Sequence, residues 1–400
     1  MEKVIMGTRL PAKLWLDEVE DSCMSQIMDL TSLPFAFKHI AIMPDAHAGK
    51  GMPIGGVLAT NGVIVPNAVG VDIGCGMCAI KTNLKAEDFS YTDLTSIMSK
   101  IRAVVPLGFD HQNKKQDQEL LPQGFDFEEM PVLKNQYEAC LKQIGTLGGG
   151  NHFIEIDQAK DGTYYLVIHS GSRNLGKQVA EIYQQLAIDL HAGKEEYFIK
   201  RDEIIRTYKE QGRRAEIQEA LKQLKQDYET QDLDVPEDIC WLYGPFMDDY
   251  LHDIEICQRF ARRSRERMAE IIIERTKLTA VESFHTVHNY IDVDEMILRK
   301  GAIAAHAGEK VLIPINMRDG SILAVGKGNV EWNNSAPHGA GRIMSRTKAK
   351  QSIDLEEYKA SMQGIYSTSV NADTLDEAPM AYKSLADIID VIEDSVDIID

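Results

Sequence analysis

The sequence predicts an α+β fold: a single domain with a central mixed β-sheet core and a helical insertion at about 177–276. Three observations carry this. Short apolar runs separated by glycine-rich turns fill residues 38 to 81, and the same texture returns at 145 to 172 and at about 281 to 342. From Gly176 to about Thr276 the apolar positions recur at a helical period instead. The polar turns of the first half and of 281–342 are far apart but alike in chemistry, which places them in one core with the helical stretch inserted between them.

The elements follow in order. "HIAIMP", "GVIVP" and "CAIKT" read as strands between turns. "GTLGGGNHFIEID" is a glycine turn entering a strand, and "YYLVIHSGS" is a buried strand that delivers His169 to a turn. A helix begins near Leu175, with apolar residues at 179, 182, 183, 186 and 190. Residues 200 to 229 are charged and helical in pattern, and 246 to 275 read as one long helix. The tail "LADIIDVIEDSVDII" places 385, 388, 389, 392, 396 and 399 on one face, so an acidic amphipathic helix is expected over about 384–400.

Composition narrows the function classes. The 400 residues are 44% hydrophobic and 26% charged, ordinary for a globular chain. No apolar run reaches the roughly 18 residues of a membrane span, and "MEKVIMGTRLPAKLW" has no apolar signal region. Cys23, Cys75, Cys78, Cys140, Cys240 and Cys257 follow no framework spacing, so a reduced, cytoplasmic setting is expected, with any special cysteine acting as ligand or nucleophile. The net charge of -19 argues against a broad basic nucleic-acid coat. It leaves room for a local basic site, because residues 372 to 400 alone hold nine carboxylates and one lysine, Lys383.

Several glycine-rich turns carry chemistry. "MPDAHAGKGMPIGG" holds Asp45 and His47, and "AVGVDIGCGMCAIKT" holds Asp72, Cys75 and Cys78. Asp72 and Cys75, three residues apart in such a turn, can reach one ion, or they are a turn acid beside a buried thiol. Cys75 and Cys78 would suit half of a zinc knuckle, but there is no second C-x-x-C. Asn151 and His152 sit where a turn enters a strand that ends near Glu155. Ser170, Ser172 and Arg173, at a helix start after His169, could form a phosphate cradle or a plain connection. In "FHTVHNYIDV" strand alternation points His285 and His288 to opposite faces, so at most one joins a site. Asp72, Cys75, His152, His169 and His288 then make a mixed oxygen, sulfur and nitrogen ligand set. It suits zinc by its sulfur, or a pair of borderline cations such as manganese sharing the thiolate.

The last constellation is "SAPHGAGRIMSRTKAK". Small neighbours expose the His338 imidazole to a bulky phosphate, and Arg342, Arg346, Lys348 and Lys350 would offset its charge. A histidine so placed can be a nucleophile that forms a phosphoramidate, or it can be a cap or core histidine. His306, in the preceding glycine-bearing stretch, is read as structural or peripheral.

"MPDAHAGKG", "GVDIGCGM", "LGGGNHFIE", "HSGSR", "HNY", "KGA" and "HGAGRIMSRTKAK", in this order over roughly residues 38 to 385, resemble the RtcB family of GTP-dependent RNA ligases. The resemblance implies joining of an RNA 2′,3′-cyclic phosphate or 3′-phosphate end to a 5′-hydroxyl, in RNA repair or tRNA splicing, with GTP and two Mn2+ ions. It implies Asp72, Cys75, His152, His169 and His288 as metal ligands, Cys75 bridging, and His338 as the nucleophile that takes GMP. Asn151, Glu155, Asn316, Gly339, Ala340 and Gly341 match nucleotide positions. Asp45, His47, Arg173, Arg342 and Lys350 match positions near the active site or the RNA. The implied partners are RNA with broken ends, tRNA or rRNA, with room for an activating protein and no membrane. Two departures mark a divergent bacterial member: "PINMRDG" stands where the family has P-G-S-M-G, and the last lysine is Lys383 where family chains end on a lysine that reaches guanine. They leave two other readings open: a metal-dependent cyclic phosphodiesterase or phosphatase on RNA ends, and a non-catalytic RNA-binding partner.

Overall fold

The structure, a computed structural model, describes residues 3–85, 90–123, 131–226 and 231–400. The first part of the chain runs β1 (Lys3–Met6), β2 (Pro11–Leu14), α1 (Asp21–Ser32), β3 (Ala36–His47), β4 (Ile54–Thr60), β5 (Val63–Ile64) and β6 (Gly76–Lys85). Then come α2 (Tyr91–Val104), α3 (Pro131–Gln143), β7 (Phe153–Gln158) and β8 (Thr163–Ser170). The helical stretch is α4 (Arg173–Asp189), α5 (Glu195–Glu210), α6 (Ile217–Gln226), β9 (Leu242–Tyr243) and α7 (Gly244–Thr276). The strands β10 (Ala280–Val287), β11 (Asn289–Asp292), β12 (Ile297–Lys300), β13 (Ala302–Ala304), β14 (Lys310–Asn316), β15 (Gly320–Gly326) and β16 (Ser335–Pro337) follow. Short helices α8 (Arg346–Ser352), α9 (Leu355–Ser361) and α10 (Leu385–Ile392) and strand β17 (Val396–Ile398) end it.

Two sheets dominate. A six-stranded sheet has the order β1-β2-β3-β4-β12-β11 and is mixed, since β2 and β3 are parallel and the other neighbours antiparallel. A four-stranded antiparallel sheet has the order β10-β6-β8-β7. Strands from before and after the helical stretch share each sheet, as the matching turn chemistry of the two halves predicts for an α+β chain.

Helix α7 ties the helical stretch to the second sheet. Its apolar residues recur every three or four positions, which makes a continuous buried stripe. Ile254, Cys257 and Phe260 pack with Leu175, Val179 and Tyr183 of α4, and Met268, Ala269 and Ile272 pack with Cys78, Ile80, Leu166 and Ile168 of the sheet. Pro245 opens the helix, and Lys277 closes it in a left-handed conformation at φ 63°. Among the described residues no helix is long and apolar enough to cross a membrane.

The tail departs from expectation. The helix foreseen over about 384–400 starts with a Ser384–Asp387 capping box but ends at Ile392. Val396 and Ile398 instead pair with Gly326 and Ala324 of β15. Glu393 and Asp394 explain the break: acid at a helix C-terminus opposes the helix dipole, and the open edge of β15 offers a full set of backbone partners.

Candidate active site

The site lies at one end of the four-stranded sheet. β6 begins just after Cys75, β7 just after His152, β8 ends just after His169, and β10 ends just before His288. Antiparallel pairing brings these strand ends together, with Met77 opposite His169 and His169 opposite Phe153. His288 N donates to Cys75 O at 2.9 Å, which fixes His288 beside Cys75.

The donor atoms converge. Cys75 Sγ is 3.4 Å from His152 Nε2 and 3.2 Å from His169 Nε2. His169 Nε2 is 3.4 Å from His288 Nε2, and His152 Nε2 is 2.9 Å from Asp72 Oδ2. The outer ring nitrogens are held by backbone. His152 Nδ1 donates to Leu147 O at 3.1 Å and His169 Nδ1 to Asn151 O at 3.0 Å, so both Nε2 lone pairs face inward. Burial pushes His169 and His288 well below the ordinary histidine range, helped by His152 beside the first and His338 beside the second. Both are therefore neutral, with a lone pair free for an ion. Burial, with Asp72 alongside, pushes the Cys75 thiol well up, so an ion that takes its sulfur must displace a proton. For Asp72, burial acts upward but the hydrogen bond and charge of His152 outweigh it, and the carboxyl lies below its usual range. Cys75, His152 and His169 fit a divalent metal, their donor atoms lying within 4.8 Å of one another.

His338 follows β16 and faces this cluster, its ring centroid 4.9 Å from that of His288. Its Nδ1 is 2.7 Å from Asp45 Oδ2, an ion-pair distance, although the two are out of line for a hydrogen bond. Gly341 makes this approach possible. It adopts φ 76°, and a Cβ there would lie 2.8 Å from Asp45 Cα. Ala340 is buried against β14, and Gly339 is half-buried.

Other sequence-predicted residues are placed as follows. His47 contacts the Asp45 carbonyl at 3.1 Å. Asn151 is exposed, and its carbonyl holds His169. Glu155 contacts Ser321 at 3.5 Å, and burial together with neighbouring Asp157 pushes its carboxyl well up. Asn316 Oδ1 accepts from Arg318 N and Asp319 N at 3.0 Å, so its side chain closes the β14–β15 turn. Arg173 reaches back to Gly108 O and Thr146 Oγ1, which ties down the glycine turn and leaves the cradle expected from Ser170, Ser172 and Arg173 without its guanidinium. Cys78 belongs to the core, and His285 turns away to Glu266 at 3.5 Å.

The cations after His338 are largely spent on acids. Arg342 contacts Tyr382 OH and Glu377, Arg346 contacts Asp376 at 2.7 Å, and Lys350 contacts Asp376 at 3.4 Å. The pairs with acids span 26 to 35 residues of sequence, so no local pattern announces them.

Sequence reading missed three supports. Arg265 of α7 is fully buried and donates to Gly74 O at 2.8 Å and Ser170 O at 2.6 Å, one residue from Cys75 and one from His169. A cation on the apolar stripe of α7 was its only signal. Asn289 Nδ2 donates to Asp72 O at 3.2 Å, and its Oδ1 accepts from Gly301 N at 2.9 Å. Lys383 N donates to Gly341 O at 3.1 Å and its Nζ to Pro44 O, which places the last lysine beside the His338 turn.

A second cluster of Asp292, Glu295 and His306 is already neutralised by Arg299, 3.8 Å from Asp292, and by His306 itself, 3.3 Å from Glu295.

The family model described as tRNA-splicing ligase RtcB matches residues 26–400. An Escherichia coli protein named RNA-splicing ligase RtcB is 33% identical over 97% of this chain and 95% of its own length. Proteins named tRNA-splicing ligase RtcB are 28% identical in Nanoarchaeum equitans, over 93% and 88%, and 25% identical in Thermococcus kodakarensis, over 97% and 92%.

Proposed function

Because the chain belongs to the RtcB family, we propose that it is an RNA ligase that joins 2′,3′-cyclic phosphate or 3′-phosphate ends to 5′-hydroxyl ends through a guanylylated His338. The observation that carries this is His338 itself. Its ring stands 4.9 Å from that of buried His288, with Nδ1 facing Asp45 at 2.7 Å.

Asp72, Cys75, His152, His169 and His288 would hold Mn2+, which would supply Lewis-acid charge to phosphate oxygens. Asp45 favours the tautomer with the proton on Nδ1, so the Nε2 lone pair of His338 is free to attack. Nε2 bonds to the GTP α-phosphorus as the bond to pyrophosphate breaks. Where the RNA end is cyclic, water first adds to its phosphorus and the P–O2′ bond breaks, leaving a 3′-phosphate and a 2′-hydroxyl. An oxygen of the RNA 3′-phosphate then displaces His338 from the guanylyl phosphorus and gives an RNA-ppG end. The 5′-hydroxyl attacks the RNA phosphate, its proton passes to solvent, and GMP leaves. Glycines on both sides leave room for these exchanges. A Cβ on Gly301 would come within 3.1 Å of His338 Cε1.

Asn151, Glu155, Asn316, Gly339, Ala340 and Gly341 line the nucleotide side in this reading. His47, Arg173, Arg342 and Lys350 act from behind, through backbone and acid contacts. A tRNA or rRNA with broken ends is the substrate class, and the setting is cytoplasmic.

The test is direct. The purified chain is incubated with α-labelled GTP and manganese and run on a denaturing gel, beside His338→Ala and ATP lanes. An acid-labile, alkali-stable label lost in the variant is expected. A label retained by His338→Ala overturns the nucleophile, and no label at all overturns guanylylation.

A further inference from the structure

The loop after α2 reads Pro106-Leu107-Gly108-Phe109, and its backbone is fastened to the turn that presents Asn151 and His152. Leu147 N donates to Pro106 O at 2.9 Å, and Gly108 N donates to Gly148 O at 2.6 Å. Arg173 Nη2 donates to Gly108 O at 2.6 Å. Further on, Gln112 N donates to Lys142 O at 3.0 Å and Gln112 Nε2 to Gly145 O at 3.2 Å. The Leu147 carbonyl in turn holds His152 Nδ1. The loop is thus rigidly indexed to a metal ligand.

Its side chains do not pack. Phe109 is 100% exposed and Leu107 51%, and Val71, next to Asp72, is also 51% exposed. Covering a phenylalanine ring is worth roughly 2 kcal/mol, so an open ring on a fixed backbone beside a reaction site calls for an occupant. Charge points to which one. The chain carries -19, and Arg342, Arg346 and Lys350 are already paired with Asp376 and Glu377. Those three cations therefore offer an RNA backbone little unpaired charge. Stacking of an unpaired base is indifferent to that charge and tolerant of sequence, and broken RNA ends expose unstacked bases.

We propose that Phe109 is a stacking platform for an unpaired base next to the reacting RNA end, on the His152 side of the site. This rests on the ligase reading above.

The probe is a short RNA with a 3′-phosphate and 2-aminopurine near that end, titrated into the full chain and into Phe109→Ala, Phe109→Leu and Phe109→Trp. Wild type and Phe109→Trp should quench the probe. Phe109→Ala should bind about tenfold more weakly, without quenching and with an unchanged salt slope. Phe109→Leu, apolar but unable to stack, should behave like Phe109→Ala. His338 labelling by GTP should be the same in all four. Wild-type binding by Phe109→Ala overturns the proposal. So does full rescue by leucine, or a change confined to self-association on sedimentation, which would assign the ring to a protein contact. Quenching that persists in a wild-type chain that takes no GMP overturns the ligase reading and upholds this one.

Discussion

Gly171 has no side chain because Asp72 fills the space. A Cβ there would sit 2.0 Å from Asp72 Oδ1 and 2.5 Å from its Cγ. Real Cβ atoms keep at least 3.0 Å from such neighbours, so in Gly171→Ala the carboxylate or the backbone must retreat by about 1 Å. A catalytic constellation tolerates about 0.5 Å. The 2.9 Å contact between His152 Nε2 and Asp72 Oδ2 would stretch beyond hydrogen-bond range. Overpacking should cost about 1–3 kcal/mol of stability, and loss of an oriented ligand should weaken metal binding about 10–100-fold. Manganese affinity by calorimetry, with a melting curve on the same sample, reads both. A folded Gly171→Ala protein that binds manganese as tightly as wild type would refute the assignment of Asp72 as a ligand.

Two further outcomes are expected. Asp45→Asn keeps the shape beside His338 but removes the charge; GMP labelling should slow about 100-fold with manganese stoichiometry unchanged, and full-rate labelling would detach Asp45 from the nucleophile. Asp253 is buried, and burial pushes its carboxyl from 3.8 up to about 6 although Tyr183 donates to it at 2.9 Å. The folded state holds this proton more tightly than the unfolded state, so stability falls as pH rises through that window and stays lower above it. Asp253→Asn should remove that part of the fall, which urea midpoints at pH 4 and pH 7.5 would show as a stability gain over wild type confined to the higher pH; an equal difference at both would refute it.

That Asp72, Cys75, His152 and His169 could meet was legible in the sequence because each stands beside a glycine turn at a strand end, and strand ends are local features. His288 was separable from His285 by alternation alone, and the structure places the two on different neighbours. What lay hidden is non-local. Arg342, Arg346 and Lys350 look like a phosphate grip until Asp376 and Glu377 arrive from another part of the chain. Arg265 serves two backbone carbonyls from a helix whose pattern otherwise says only core. The tail shows the same limit. Its apolar spacing fits a helix through Ile392, and beyond that an open strand edge competes for the backbone and wins.

The strands beneath the histidines act as a ruler for the donors they carry. Ring centroids step by 5.1 Å from His152 to His169, 5.1 Å to His288 and 4.9 Å to His338. The first step joins the neighbouring strands β7 and β8 at close to the interstrand repeat of about 4.8 Å. The others are closed by side chains, since β6 with Cys75 lies between β8 and β10, and His338 comes from the separate β13–β16 pair. Such a scale has coarse graduations. Moving a donor along its strand means a whole register step of about 3.3 Å and a flip to the opposite face, far outside any bonding distance. The site can lose a rung, but it cannot be tuned by degrees. Changes elsewhere in the chain, in the Ile315–Asp319 turn for example, can accumulate without disturbing the intervals between these strand ends.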